Sequence, residues 1–306
     1  MIVIKSAKLW TLPRYVGRPL GVLFAFDVAI AAAYVFGGWT WLAHPEIPLS
    51  IFGGVIGVLA GFRNSSAYAR WWEARIIWGA VVNSSRSFAR EVLSMIAAPE
   101  AGEATEREIS EIKRELVLLQ VAYVHALRNH LRGIPPWEEL RGLIPEQETE
   151  RLRTQSNVPF AIQQNMASLV AHCYQRGWID NMRWVGLDRT LSILMDCQGA
   201  SERIKNTPMP RLYDMFIRLF INIYCLLLPL GMVASLGLLT PVGSTLVGFI
   251  FLALDQIGRD LETPFENLPH DISLTAISRT IEIDLKQMIS EKEVPEPLAP
   301  VDGTLW

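Results

Sequence analysis

The sequence SIFGGVIGVLAGFRNSSAYARWWEAR, residues 50–75, decides the fold of this chain. Its first half is apolar and rich in glycine, its second half is charged and aromatic, and no proline or turn cluster separates them. It predicts one continuous helix that begins in a membrane and ends in cytoplasm. Gly53, Gly57 and Gly61 recur every four residues on one helix face, where small residues let a neighbouring helix approach closely in lipid. Two interpretations stay open: a packing motif, or one helix of a ring around a pore.

The composition is that of a membrane protein with no sign of nucleic-acid binding. Half of the residues are hydrophobic, mean hydropathy is +0.24, and the net charge is −3. The hydrophobic fraction and the mean hydropathy are both high for an ordinary soluble domain. The cysteines Cys173, Cys197 and Cys225 form no Cys-x-x-Cys pair. We expect them to be reduced packing residues.

The pattern of apolar segments predicts an all-α integral membrane protein, since strand-like alternation is absent. The first apolar segment, at about 1.5 Å per residue, spans roughly 35 Å, enough for a bilayer core. The second apolar segment, 50–62, is short for a full membrane span. It can cross the membrane only if other helices shield it or if it continues through a polar pore lining. Membrane helices are predicted at 20–42, 48–62, 212–239 and 241–258, and helices of a cytoplasmic bundle at 63–206 and 272–291.

The placement of lysine and arginine predicts which side of the membrane each loop occupies. The segment before the first span is basic, arginines follow the second span, and basic residues precede the third and follow the fourth. The segment 44–48 and the turn around Pro241 carry neither lysine nor arginine. Both termini and the long middle of the chain are therefore expected in the cytoplasm.

Asp27 is a charged residue inside the first apolar segment. An aspartate at mid-helix costs about 2.5–3.5 kcal/mol on insertion scales, so its side chain should face protein or water. One interpretation makes it part of an ion path or proton relay. The other makes it a hydrogen-bonded partner for a neighbouring helix.

Motifs for enzyme chemistry or metal binding are scarce. His125 and His130 are five residues apart and point to different helix faces, so they make a poor metal pair. No glycine-rich phosphate loop follows a strand, and no Gly-x-Ser-x-Gly motif occurs. We predict no enzyme activity, no metal site and no cofactor.

Three segments resemble the bestrophin family, and its bacterial members in particular. Residues 61–75, GFRNSSAYARWWEAR, followed by Trp78 and Gly79, match the signature G-F-R-N-x-x-x-Y-x-R-[FW]-x-E-A-R-x-x-W-G. SERIKNTPMP at 201–210 and LDQIGRDLETPF at 254–265 are similar to two further segments, with departures at Ser201, Met209 and Asp260. The resemblance covers roughly 20–288.

The resemblance implies a homopentameric ion channel in a bacterial plasma membrane, formed by a single channel domain over 1–306. It implies a pore neck at Gly54, Val58 and Phe62, and a cytoplasmic constriction at Met182. Relatives carry bulky apolar residues at all three neck positions. Gly54 should therefore widen the outer end of the neck and weaken a dewetting gate there.

Animal bestrophins are calcium-activated through an acidic cluster after the Pro-Phe that corresponds to Pro264 and Phe265. Only Glu266 and Asp271 are acidic in the matching segment of this chain. A hard cation that prefers six to eight oxygen ligands would be poorly served by two carboxylates. We predict no calcium requirement.

The leading functional hypothesis is passive conduction of small monovalent ions, chloride or a monovalent cation, through a central pore. Its partners would be small inorganic ions, the lipid bilayer and further copies of the chain, with no nucleic acid. One alternative is an ion-coupled transporter, suggested by Asp27 and by Pro229 in the third span. Another is a membrane-anchored helical scaffold without ion flux.

Overall fold

The computed structural model describes residues 15–98 and 103–306, and within these ranges the chain is helical, with no strand. Isolated bridges join Arg141 to Ile144 and Val301 to Thr304. The predicted all-α class is confirmed. The helices are α1 (Arg18–Val35), α2 (Leu49–Met95), α3 (Glu103–Arg132), α4 (Trp137–Leu140), α5 (Glu146–Arg153), α6 (Val158–Gln175), α7 (Asn181–Asn206), α8 (Arg211–Leu236), α9 (Thr240–Glu262) and α10 (Leu274–Met288).

The described residues divide into two compact units. The first unit holds residues 15–71 and 208–263, and the second holds 72–207 and 264–306. Helix α2 contributes its beginning to the first unit and its end to the second. The expectation of a single channel domain over 1–306 stays a prediction.

The first unit consists of apolar helices packed around a shared core. Helix α1 packs on α8 and α9, which also pack on each other. Ile56 of α2 joins the same core with Leu23, Ile221 and Leu252. Among the described residues, Arg18–Val35 and Arg211–Glu262 are long and apolar enough to cross a membrane. The beginning of α2 does not reach that length, because its apolar run ends before Arg63.

Helix α1 ends earlier than the predicted span of 20–42. Its last residue is Val35, and Gly38 adopts a positive φ of 67°. A backbone in this left-handed region suits glycine and leaves the right-handed helix. The remaining residues of the predicted span form a turn and the short 3₁₀ helix Thr40–Leu42. The 18-residue helix is about 27 Å long.

Helix α2 confirms the predicted continuity through residues 50–75. It runs for 47 residues without a break, a length of about 70 Å. Its buried side chains include Ile56, Ala60, Arg63 and Ala67, three or four residues apart. This spacing gives one face that packs inside the protein and one that is exposed.

Helices α8 and α9 correspond to the predicted spans of 212–239 and 241–258, with slightly different bounds. Helix α8 ends at Leu236, because Gly237 turns the chain with a φ of 53° and begins a 3₁₀ turn. Helix α9 extends to Glu262. Pro229 lies inside α8, yet the helix continues through it.

The second unit is organised around α3, whose middle turns are buried on all sides. Helices α6, α7 and α10 pack against it, and α6 also packs on α7. Helices α6 and α7 both lie within the segment 63–206 that was predicted to be helical. Helix α10 covers 274–288, within the predicted 272–291.

Candidate functional site: an exposed face of α2 and the charges that anchor it

The predicted neck residues share an exposed face of α2. Gly54, Val58 and Phe62 are four residues apart, and Val58 and Phe62 are 59% and 64% exposed within the chain. Their neighbours Ile56 and Ala60 are buried in the first unit. Two large apolar side chains are thus presented outward by the packing of the opposite helix face. The assignment of this face to a pore stays a prediction.

A separate apolar groove of about 510 Å³ lies beside this face, between α2 and α8. Ile51, Val55 and Leu59 line it from α2, and Phe220 and Ile223 line it from α8. None of the three predicted neck residues lines the groove. The exposed side of α2 therefore carries two neighbouring surfaces, the neck face and the groove.

The glycines of α2 differ in what they contact. A Cβ added at Gly53 would lie 2.5 Å from the Tyr224 hydroxyl of α8, so any larger residue there would require the Tyr224 side chain to shift. A Cβ at Gly57 or Gly61 would meet nothing within 4 Å. Close helix packing, the first interpretation of this spacing, holds within the chain at Gly53 alone.

A buried charge network begins at the residue after Phe62. The Arg63 side chain is 1% exposed and pairs with Asp255 of α9, with Nη1 2.6 Å from Oδ1. It also pairs with Asp214 of α8. Arg259 binds the second oxygen of Asp255 at 2.9 Å. The network joins α2 to both α8 and α9 at the position in α2 that directly follows the neck residues.

The polar part of the signature makes further contacts with α9. Asn64 Nδ2 donates to the carbonyl oxygen of Leu254 at 2.9 Å, and Arg70 Nε donates to that of Glu262 at 2.7 Å. Gly258 passes close to Arg63 and Asn64 and leaves no room for a Cβ. Two segments of the family resemblance, 61–75 and 254–265, thus meet side by side. Sequence reasoning missed these contacts, although lone charges at the ends of apolar runs were a visible signal.

Asp27 is fully buried in the first unit. Thr245 Oγ1 of α9 donates a hydrogen bond to Asp27 Oδ2 at 2.9 Å. Its other oxygen, Oδ1, has no hydrogen-bond partner among the described residues. The contact supports the interpretation of Asp27 as a partner for a neighbouring helix.

Met182 lies in the first turn of α7, in the second unit, and its side chain is 80% exposed. Asp180 caps this helix, with Oδ1 accepting a hydrogen bond from the Arg183 backbone N–H at 2.9 Å. Arg183 Nη1 also donates to the Met95 carbonyl oxygen at 3.1 Å. The start of α7 is thus held in place while Met182 projects outward. Its assignment to a constriction stays a prediction.

The two acidic residues considered for calcium have other partners. Glu266 pairs with Lys205 at 2.5 Å. Burial raises the pKa of Asp271, and its Oδ2 accepts from the Leu268 backbone N–H at 3.0 Å. Among residues 15–98 and 103–306, no group of three or more His, Cys, Asp and Glu side chains is arranged to hold a metal ion.

His125 and Glu282 form a buried polar contact in the second unit. His125 Nε2 donates to Glu282 Oε2 at 3.1 Å, and Lys286 binds the other oxygen at 2.8 Å. Burial acts to raise the pKa of Glu282, but the hydrogen bonds from His125 and Lys286 outweigh it and lower the pKa to about 2. His130 instead lies 3.4 Å from Glu202. The two histidines thus have separate partners.

Comparison with known proteins identifies the family. A family model described as "Bacterial/Fungal Bestrophin protein" matches residues 13–287. The chain therefore belongs to the bacterial and fungal bestrophins, and the resemblance noted in the sequence is confirmed. Bestrophins are membrane channels and not enzymes.

Relatives and a solved structure agree with this assignment. The "Voltage-dependent anion channel-forming protein YneE" of Escherichia coli (strain K12) is 31% identical over 284 residues, 91% of this chain and 89% of that protein. The "Voltage-dependent anion channel-forming protein alr2987" of Nostoc sp. is 33% identical over 258 residues, 82% of each chain. The crystal structure of a bacterial bestrophin homolog from Klebsiella pneumoniae superimposes with a TM-score of 0.82 at 26% identity, covering 90% of this chain and 98% of that one.

Proposed function

We propose that this protein is a passive channel for small monovalent ions, in which α2 helices from five copies surround a central pore. The observation that carries the proposal is the neck face. Val58 and Phe62 are large, apolar and exposed within one chain, while the residue that follows them is held in a buried ion-pair network. The exposed face is therefore presented in a fixed orientation, as a pore lining requires.

The neck would act as a short apolar constriction. Hydrophobic constrictions gate ions by losing their water, and the effect depends on the width and apolarity of the ring. Phe62 and Val58 would form its narrow part, and Gly54 its wider outer end. The buried pair of Arg63 with Asp214 and Asp255 would hold the narrow ring against thermal motion.

Four helices would cross the plasma membrane: α1, the beginning of α2, α8 and α9. The apolar part of α2 is short, and the neighbouring helices of its own unit and of other copies would shield it. The 36–48 segment carries the exposed residues Trp39 and Trp41 and no lysine or arginine. Tryptophans are enriched at membrane interfaces, and loops poor in Lys and Arg lie outside. Both termini would then be cytoplasmic.

Met182 would form the cytoplasmic constriction, and α7 would continue the ion path. Exposed residues that share the helix face of Met182 include Arg189 and Ile193, seven and eleven positions further on. Two turns of helix separate Met182 and Arg189, about 10 Å along the axis. No described residue makes an ion pair with Arg189. Five such cations would form a ring close to the constriction.

Chloride is the first candidate for the conducted ion, because the curated relatives are named anion channels. An apolar neck does not itself select the sign of charge, so the selection would depend on charges such as Arg189. A monovalent cation is the alternative. The identity of the conducted ion can be tested separately from the channel activity, since a preference for either chloride or a cation can be measured only if the protein conducts.

The hydrogen bond of Asp27 and the continuity of α8 at Pro229 argue against a coupled transporter. A transporter site at the bilayer midplane is formed by discontinuous helices, whereas α8 is continuous through Pro229. Asp27 is buried and bonded to Thr245. We expect Asp27→Asn to leave ion flux independent of a proton gradient, as in the unchanged protein.

The direct test is reconstitution of the purified protein in a planar bilayer under a KCl gradient. A current that reverses near the chloride potential supports an anion channel, and one near the potassium potential corrects the ion but keeps the channel. Val58→Ala and Phe62→Ala should raise conductance, because both widen the neck. Val22→Ala on α1, also an exposed apolar position, is the matched control and should not. Absence of current from intact pentamer contradicts the proposal.

A further inference from the structure

The groove between α2 and α8 is an apolar surface that the helices of its own chain leave uncovered. Its volume is about 510 Å³, and its lining is almost entirely apolar. Ile51 and Val55 of α2 are 64% and 55% exposed, and Phe220 and Ile223 of α8 are 41% and 44% exposed. Exposed apolar surfaces of this kind mark contacts with lipid or with another protein chain.

The other side of the neck face carries glycines that contact nothing in their own chain. A Cβ added at Gly57 or Gly61 would meet no atom within 4 Å, so packing inside the chain does not require glycine at these positions. Glycine in a helix interior costs about 1 kcal/mol relative to alanine. In lipid, small residues on one helix face let a second helix approach closely. This glycine flank, Gly57 and Gly61, is therefore suited to a helix of another chain.

The groove and the glycine flank lie at matching angles on either side of the neck face. Successive residues of an α-helix are about 100° apart around the helix axis. Relative to the direction of Val58, Gly61 lies about 60° to one side and Val55 about 60° to the other. Gly57 lies about 100° away on the side of Gly61, and Leu59 about 100° away on the side of Val55. In a closed ring of five helices, each helix meets its neighbours at about 54° on either side of the direction to the ring axis.

The two surfaces also lie at nearly the same depth along α2. Val55 and Gly57 are two residues apart, about 3 Å along the helix axis, and so are Leu59 and Gly61. Copies related by a rotation axis parallel to their α2 helices have the same depth. The glycine flank of one copy can thus face the groove of the next without a shift along the axis. A contact between two different surfaces, repeated around an axis, closes into a ring.

We propose that the groove between α2 and α8 of one copy receives the glycine flank of α2 from a second copy, and that five such contacts close the neck. The proposal rests on the proposed function, because it requires Val58 to face the pore axis. Packed helices have interaxial distances of about 8–10 Å, depending on the side chains between them. The glycines would place neighbouring α2 helices near the short end of this range and so keep the neck narrow.

The test is disulfide cross-linking of the double variant Leu59→Cys/Gly61→Cys in lipid vesicles. Residues two apart do not face each other on a helix, so a disulfide can form only between copies, where it needs a Cα–Cα distance of about 4.4–6.8 Å. We expect a ladder on a non-reducing gel that ends at five linked chains. The natural cysteines are buried. Leu59→Cys alone and the pair Val22→Cys/Gly61→Cys, with Val22 exposed on α1, are the controls and should give no ladder.

The cross-linking result and the bilayer current separate this interface from the proposed function. An intact pentamer with normal current but no ladder would overturn the interface and leave the channel. Cross-linking that stops at two chains would overturn it as well, because it indicates a contact between identical surfaces. A full ladder from a protein without current would support the interface and contradict the proposed function.

A second measurement needs no substitution and decides the matter if cysteine at position 61 prevents assembly. The unchanged pentamer in vesicles is labelled with a photoactivated carbene probe dissolved in the lipid, and the labelled residues are located by mass spectrometry. We expect Val55 and Leu59 to be protected relative to Val22 and Phe24, which are exposed on α1. Labelling of Val55 and Leu59 as strong as that of Val22 would show that lipid fills the groove and would overturn the proposal.

Discussion

Replacement of Arg63 by glutamine should destabilise the protein more than the loss of a surface ion pair. Arg63 is buried, and the substitution removes the cation shared by Asp214 and Asp255. Removing one partner of a buried ion pair costs about 3–5 kcal/mol. Asp255 keeps Arg259 at 2.9 Å and Asp214 keeps Arg218 at 3.0 Å. Because neither carboxylate is left alone, we expect the lower end, about 3 kcal/mol.

The matched control is Arg86→Gln. Arg86 pairs with Asp284 at 2.5 Å, but its side chain is about half exposed, and such surface pairs contribute about 0–1 kcal/mol. Thermal unfolding in detergent, followed by tryptophan fluorescence, should show a loss in Tm for Arg63→Gln that is at least about three times the loss for Arg86→Gln. Equal losses would refute the view that Arg63 anchors α2.

Three further predictions concern pH, selectivity and calcium. Glu282→Gln should lower the free energy of unfolding by about 2 kcal/mol at pH 7, after allowance for solvent screening. The pKa of Glu282 in the folded protein, about 2, lies below its ordinary value of 4.5, so this stabilisation is present above pH 4.5 and is lost as pH falls towards 2. Unfolding of the variant and of the unchanged protein across this pH range would check the prediction. Arg189→Gln should shift the reversal potential away from the chloride potential, because a cation ring within about one Debye length of the constriction is lost. The control Arg151→Gln should leave the reversal potential unchanged. If Arg189→Gln and the unchanged protein have identical reversal potentials, Arg189 has no part in selectivity. Bilayer currents should be unchanged by a calcium chelator, and a sharp loss would show a calcium requirement.

Local sequence patterns predicted most of the helices. The apolar run and signature at 50–75 predicted α2, and α6 and α7 lie within the helical segment predicted at 63–206. The error at the end of α1 came from reading apolarity alone, since residues 36–42 remain apolar while Gly37 and Gly38 permit a turn. Apolar character measures affinity for lipid, and backbone conformation is a separate constraint.

The contacts that anchor the neck could not be predicted from local patterns. Arg63 reaches partners more than 150 positions later in the chain, and no helical periodicity relates them. The neck residues themselves came from the family resemblance, and their exposed face is visible in one chain.

The measurement that tests the central claim most directly is thiol modification of Val58→Cys during bilayer recording. The natural cysteines are buried, and burial raises the pKa of Cys173 to about 11, so the unchanged protein provides an unreactive background. A charged methanethiosulfonate reagent should change the current through Val58→Cys and leave the unchanged protein and Val22→Cys unaffected. An unaltered current through Val58→Cys, with labelling of the cysteine verified by mass spectrometry, would contradict a pore lined by this face of α2.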